Sequence, residues 1–86
     1  MIARSDVTIV ATALSGWSGD VWHIRVGSAD YVVSAATSPW GGGSETAVFP
    51  ATPDGEATSR RDVVVHAGYD HEAAISDLIR HLNSRD

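Results

Sequence analysis

One stretch near the C-terminus has the period of an amphipathic helix, and it constrains everything before it. Ala74, Ile75, Leu78, Ile79 and Leu82 recur as a single apolar stripe. Asp70 stands where an N-cap belongs, Glu72 adds negative charge in the first turn, and Arg80 and His81 put positive charge near the far end. An isolated helix shorter than about 15 residues is marginal in water, so this one must bury its stripe against another element. The rest of the chain reads as strands and turns, which makes a sheet the partner.

Asp6 to Ser15 is rich in β-branched residues. Val7, Ile9, Ala11 and Ala13 fall on one face and Thr8, Val10, Thr12 and Leu14 on the other. Gly16 to Asp20 supplies turn chemistry. Val21 to Val26 is a second strand with Trp22, Ile24 and Val26 toward the core, and His23 and Arg25 are expected to face water. Gly27-Ser28-Ala29-Asp30 reads as a four-residue hairpin loop into a third strand, Tyr31 to Ala36. Residues 38–44 break the pattern with Pro39 and the triple glycine Gly41-Gly42-Gly43, and are expected to form a flexible Gly-rich loop. A fourth strand spans Glu45 to Phe49 and is expected to stop at Pro50, before a turn at Pro53-Asp54-Gly55. A short fifth strand runs from Arg61 or Asp62 to His66. Its valines Val63, Val64 and Val65 imply cover on both faces or a strand crossing the edge of the core. The expected fold is α+β: a small antiparallel, meander-like sheet of four to five strands packed against one C-terminal helix.

A chain of 86 residues has room for one domain, so residues 1–86 are expected to form a single unit. With no cysteine, it has neither a disulfide framework nor a thiolate ligand or nucleophile. Six basic against eleven acidic residues leave a net charge of −5, which argues against nucleic acid as a partner. The absence of a long apolar run or of a basic-then-apolar N-terminus argues against a membrane span or a signal peptide. A soluble, intracellular protein is expected.

Residue patterns that carry chemistry are sparse. His71 and His81 lie ten positions apart, about 15 Å along a helix, and cannot share a metal. His66, Asp70 and His71 could gather at the strand-to-helix turn, the one place for a small metal-dependent hydrolase, but capping and surface roles account for them better. No serine sits in Gly-x-Ser-x-Gly, and the triple glycine lacks the Lys-Ser/Thr of a phosphate loop. Arg60-Arg61 is the only basic pair and lies among acidic residues. No catalytic residue, metal or cofactor is expected. The tryptophans point elsewhere: Trp17 and Trp40 both occupy glycine-flanked loops, and tryptophan is enriched at binding hot spots. Trp17, Trp40, Gly41, Gly42 and Gly43 are therefore the expected partner-binding residues, with folding back over a minimal core as the alternative. An exposed strand edge or the outer helix face offers a further surface, and an unprotected edge also permits a homodimer.

Three segments together resemble a known group. Glu45-Thr46-Ala47-Val48-Phe49-Pro50, Asp54-Gly55-Glu56-Ala57-Thr58 and Gly68-Tyr69-Asp70-His71-Glu72-Ala73-Ala74 resemble small accessory proteins of actinobacteriophages, including mycobacteriophages, over about residues 45–78. Ala47 and Arg60 depart from that group's pattern, where a larger apolar residue and an aromatic are usual. The resemblance implies a viral, non-virion accessory protein that acts in the cytoplasm of a bacterial host. The absent catalytic constellation, the small size and Trp17 and Trp40 add the expectation that it works by binding and modulating a host protein, without catalysis. A homo-oligomeric assembly protein is the alternative. All six basic residues are arginine, with no lysine, which agrees with a high-GC source.

Overall fold

Short β-branched segments separated by glycine- and proline-bearing turns pair most simply with their chain neighbours, and this chain does so throughout. The computed structural model describes residues 1–14, 20–37 and 44–85. Five strands lie in one antiparallel sheet in chain order: β1 (Val7–Ala11), β2 (Asp20–Val26), β3 (Ala29–Thr37), β4 (Ser44–Ala51) and β5 (Val64–Ala67). Helix α1 (His71–Asn83) follows, giving the expected α+β fold. Of the expected loop at 38–44, only Ser44 lies within the described residues, where it opens β4.

Several boundaries differ from those the pattern suggests. β1 stops at Ala11: the register slips between Ile9 and Ala11, and pairing resumes only once more, with Ala11 opposite His23. The β2–β3 connection is a two-residue turn, Gly27-Ser28, with Val26 opposite Ala29; Gly27 takes φ +62°, as a tight hairpin turn demands. Ala29 and Asp30 thereby join β3. β4 runs through Pro50 to Ala51, with Pro50 opposite Tyr31. The Pro50 carbonyl accepts the Thr58 N–H at 2.9 Å, so its backbone groups turn away from β3 and the missing N–H costs the β3–β4 ladder nothing. β5 begins at Val64, later than expected, after the Val63 N–H donates to the Val48 carbonyl.

One sheet face meets the helix. Val7, Ile24, Val26, Tyr31, Val33 and Val48 pack against Ala74, Ile75 and Leu78, with Trp22, Val64, Ile79 and Leu82 at the margins. The helix starts where expected: the Asp70 carboxylate accepts the Ala73 N–H at 3.1 Å. Thr46, fully buried on β4, locks the turn ahead of it. Its hydroxyl donates to the Gly68 carbonyl (2.7 Å) and accepts the Asp70 N–H (3.1 Å). At the other end of the chain, a single 3₁₀ turn at Arg4–Asp6 leads into β1. Arg4 grips Glu72 through two hydrogen bonds, at 2.8 and 2.9 Å. This pair holds the Glu72 carboxyl below its ordinary range and raises the Arg4 guanidinium.

The opposite face corrects the expectation for His23. It is 3% exposed, and Asp30 beside it 7%. Gly55 and Leu14 lie over the ring: a Cβ on Gly55 would meet Leu14 Cδ2 at 3.2 Å and His23 Nδ1 at 3.3 Å. The turn after β4 therefore folds back as a roof over His23, on the face that also buries Val21 and Val32. A histidine can be buried there because Asp30 Oδ1 lies 2.7 Å from its Nε2 and accepts from Arg25 Nε at 3.0 Å. Arg25 remains part-exposed, so the expectation holds for its outer half only.

Candidate docking edge beside the C-terminal helix

A strand at the end of a sheet leaves one row of backbone groups without a ladder partner, and this sheet has two such strands. β1 is blunted. Its ladder is broken by the bulge after Ile9, and Arg4 Nη1 donates to the Val7 carbonyl at 3.2 Å. β5 carries no such protection among the described residues. The Gly68 N–H donates to the Ser44 carbonyl at 3.0 Å, and the register pairs His66 with Thr46 and Val64 with Val48. Hydrogen-bonding direction alternates along an antiparallel strand, so Gly68, His66 and Val64 turn toward β4 while Val65 and Ala67 present N–H and C=O outward. Val65 is 48% exposed, a large β-branched side chain on an open edge with no lysine or proline to guard it.

An open groove of about 490 Å³ runs beside this edge, lined by Val64, Val65, Asp77, Arg80, His81 and Ser84. It exists because α1 returns antiparallel to β5 after the Gly68 turn, bringing its last two turns alongside the strand's start. One carboxylate sets its wall. Asp77 Oδ2 lies 2.8 Å from His66 Nδ1, and Asp77 Oδ1 accepts from Arg80 Nη1 at 3.2 Å. Both carboxylate oxygens are thus engaged. The Arg80 side chain is 78% exposed, so most of its guanidinium still faces solvent.

The expected gathering of His66, Asp70 and His71 does not occur. His66 turns to Asp77 and Asp70 caps the helix. The third residue, His71, lies stacked on Trp22, with ring centroids 4.4 Å apart and planes 9° from parallel. His71 Nε2 donates to the Asp20 carbonyl at 3.0 Å, an acceptor that requires the proton on Nε2. Tyr69 meets His71 edge-on and donates its hydroxyl to the Asp20 carboxylate, a bond that raises the Tyr69 pKa. These contacts pin the helix start to β2 and leave His71 with structural work. The described residues include no group of three or more His, Cys, Asp or Glu side chains arranged to hold a metal.

Trp17, Trp40, Gly41, Gly42 and Gly43 lie outside the described residues. The groove beside β5 was not singled out by sequence reasoning. Its only signal was the uninterrupted Val63-Val64-Val65 run, already suggestive of a strand at the core's margin.

No described helix is long and apolar enough to cross a membrane. Comparison with protein-family models, with curated proteins and with solved structures gives no match.

Proposed function

We propose that this protein is a small, non-enzymatic binding module that takes up an extended segment of a partner protein along the outer edge of β5. The observation that carries this reading is the outward row of backbone groups at Val65 and Ala67 beside an open groove. Strand addition uses such a row for affinity and adjacent pockets for selectivity. Within the same proposal the partner is a bacterial host protein and the module a phage accessory protein of the host cytoplasm. The likeness of residues 45–78 to actinobacteriophage proteins and the lysine-free composition support that part.

Val65→Pro tests the edge. Proline at this position removes an N–H that makes no bond to β4, so the sheet is expected to keep its fold. Extended peptides selected from a display library against the wild type are expected to lose binding to V65P. The same peptides are expected to shift the amide resonances of Val65 and Ala67 in the wild type. Peptides that bind V65P as tightly as the wild type overturn the edge assignment. If such peptides instead lose binding to a Trp17→Ala, Trp40→Ala double variant, Trp17 and Trp40 take the edge's place.

A further inference from the structure

The ionised groups around the β5 edge nearly cancel, but they are not evenly placed. Arg60 and Arg61 lie exposed on the approach to the strand, offset there by Asp62, and Arg80 and His81 line the groove beside Val64. At the other end, Glu45 stands exposed opposite Ala67, and exposed Asp70 follows the Gly68 turn. Asp77, between them, is engaged by both His66 and Arg80. The edge is therefore positive where β5 begins and negative where it ends. Such an edge complements itself when a second copy arrives antiparallel, since each positive end then meets a negative one.

Resting on the strand-addition reading above, we propose that two copies of this chain close their β5 edges on one another about a twofold axis, and that a partner segment is taken up by displacing the second copy. The outward groups fix the register. Val65 and Ala67 point their N–H and C=O groups away from β4, whereas the Val63 N–H is already taken by the Val48 carbonyl. Centring the pair on His66 sets Val65 opposite Ala67 of the second copy, and Ala67 opposite the second copy's Val65, so both residues of each chain use both backbone groups. The exposed Val65 side chain then lies beside a small alanine, on the face away from the helix. Arg60 and Arg61 of each copy come to the side of the other that carries Glu45 and Asp70. Both open edges are consumed in this way, and the β1 edges that remain are blunted by the bulge after Ile9 and by Arg4, so assembly stops at two. A contact built on a four-residue strand is small, which keeps the dimer weak enough for a partner to displace.

Sedimentation equilibrium of the full-length chain between about 1 μM and 1 mM, the span of a weak interface, is expected to show a reversible monomer–dimer equilibrium. The Val65 and Ala67 amides are expected to shift with concentration over the same range. Val65→Pro removes a pairing N–H and is expected to stay monomeric. Glu45→Arg alone, or Arg61→Glu alone, is expected to weaken the dimer about tenfold, because the twofold repeats the contact and reversal turns attraction into repulsion. Glu45→Arg combined with Arg61→Glu restores the match and is expected to dimerise as the wild type does. A monomer throughout the range overturns the pairing. Display-selected peptides that still shift Val65 and Ala67 in that monomer leave strand addition standing, and peptides that do not shift them overturn it as well. A dimer that V65P still forms, or one that grows into longer assemblies, overturns the β5–β5 contact. Single charge reversals without effect overturn the charge match, and a dimer that the selected peptides fail to dissociate overturns the displacement.

Discussion

The side-chain amide of Asn83 pairs with both backbone groups of Ile2, much as one strand residue pairs with another. Asn83 Oδ1 accepts the Ile2 N–H at 2.8 Å, and Asn83 Nδ2 donates to the Ile2 carbonyl at 2.9 Å. The last residue of the helix thereby fastens the N-terminal segment, whose Ile2 side chain packs against the core. Together with Arg4 and Glu72, the pair straps the start of the chain to its end.

Asn83→Ala is expected to lower stability by about 1–3 kcal/mol, because both Ile2 groups lose part-buried partners at once. Asn83→Asp should be no better, since the carboxylate keeps an acceptor for the N–H but faces the Ile2 carbonyl without a donor. Urea unfolding followed by circular dichroism measures both, and midpoints equal to the wild type would show the strap to be idle.

Thr46→Val is expected to be costly despite its nearly unchanged volume. It leaves the Gly68 carbonyl and the Asp70 N–H without their shared hydroxyl, at about 1–3 kcal/mol for each group left unsatisfied. Thr46→Ser keeps the hydroxyl and loses one methyl, so it should fall between. The order of the three thermal midpoints is the test; a valine variant as stable as the wild type contradicts the lock.

Asp30 predicts an acid limb. Burial alone would raise its carboxyl, but the His23 hydrogen bond, with the charge and hydrogen bond of Arg25, outweighs burial and holds it below its ordinary 3.8. A depressed carboxyl contributes stability that is fully present above that ordinary value and is lost as pH falls through the folded-state value. Glu72 acts in the same direction through Arg4. Urea midpoints measured from pH 6 downward should therefore fall once the pH drops below about 4. Asp30→Asn should start lower and show a shallower acid fall. A variant whose acid limb matches the wild type's would assign that limb to other carboxylates.

Two glycines separate backbone strain from crowding. Gly27 and Gly55 both have positive φ, at +62° and +86°. A Cβ at Gly27 meets nothing within 4 Å, so Gly27→Ala should cost only the left-handed conformation, about 1–2 kcal/mol. At Gly55 the same methyl also presses on Leu14 and the buried His23 ring, so Gly55→Ala should cost more and disturb the His23 side-chain resonances. Equal losses at the two positions would remove Gly55 from the roof.

Much of the architecture was legible from local patterns. The helical stripe, the Asp70 cap, the alternation of Trp22, Ile24 and Val26, and the glycine-marked turns are each written within a few residues. The limits of the strands were less legible. Pro50 looked like a terminator because proline lacks a donor; the partner strand on its other side had already ended, which no local pattern records.

The candidate edge was only partly written in the sequence. Val63, Val64 and Val65 marked a strand at the core's margin, but the groove needs the helix beside it and Asp77 eleven positions beyond His66. His23 and Arg25 read as water-facing because alternation assigns faces without saying what covers them. The roof that buries His23 comes from Gly55, more than one strand away in the sheet.

The sequence by itself determined which segments are strands and which is the helix, and the apolar stripe that joins the two layers. Periodicity and turn chemistry act over a few residues, so they survive reading without coordinates. Only the tertiary structure decided that the strands lie in chain order, that Asn83 holds Ile2, that Asp30 hydrogen-bonds a buried His23, and that β5 is left open while β1 is blunted. Those outcomes depend on which distant groups the closed core brings within hydrogen-bonding reach, with the Ile2–Asn83 pair spanning 81 positions of the chain.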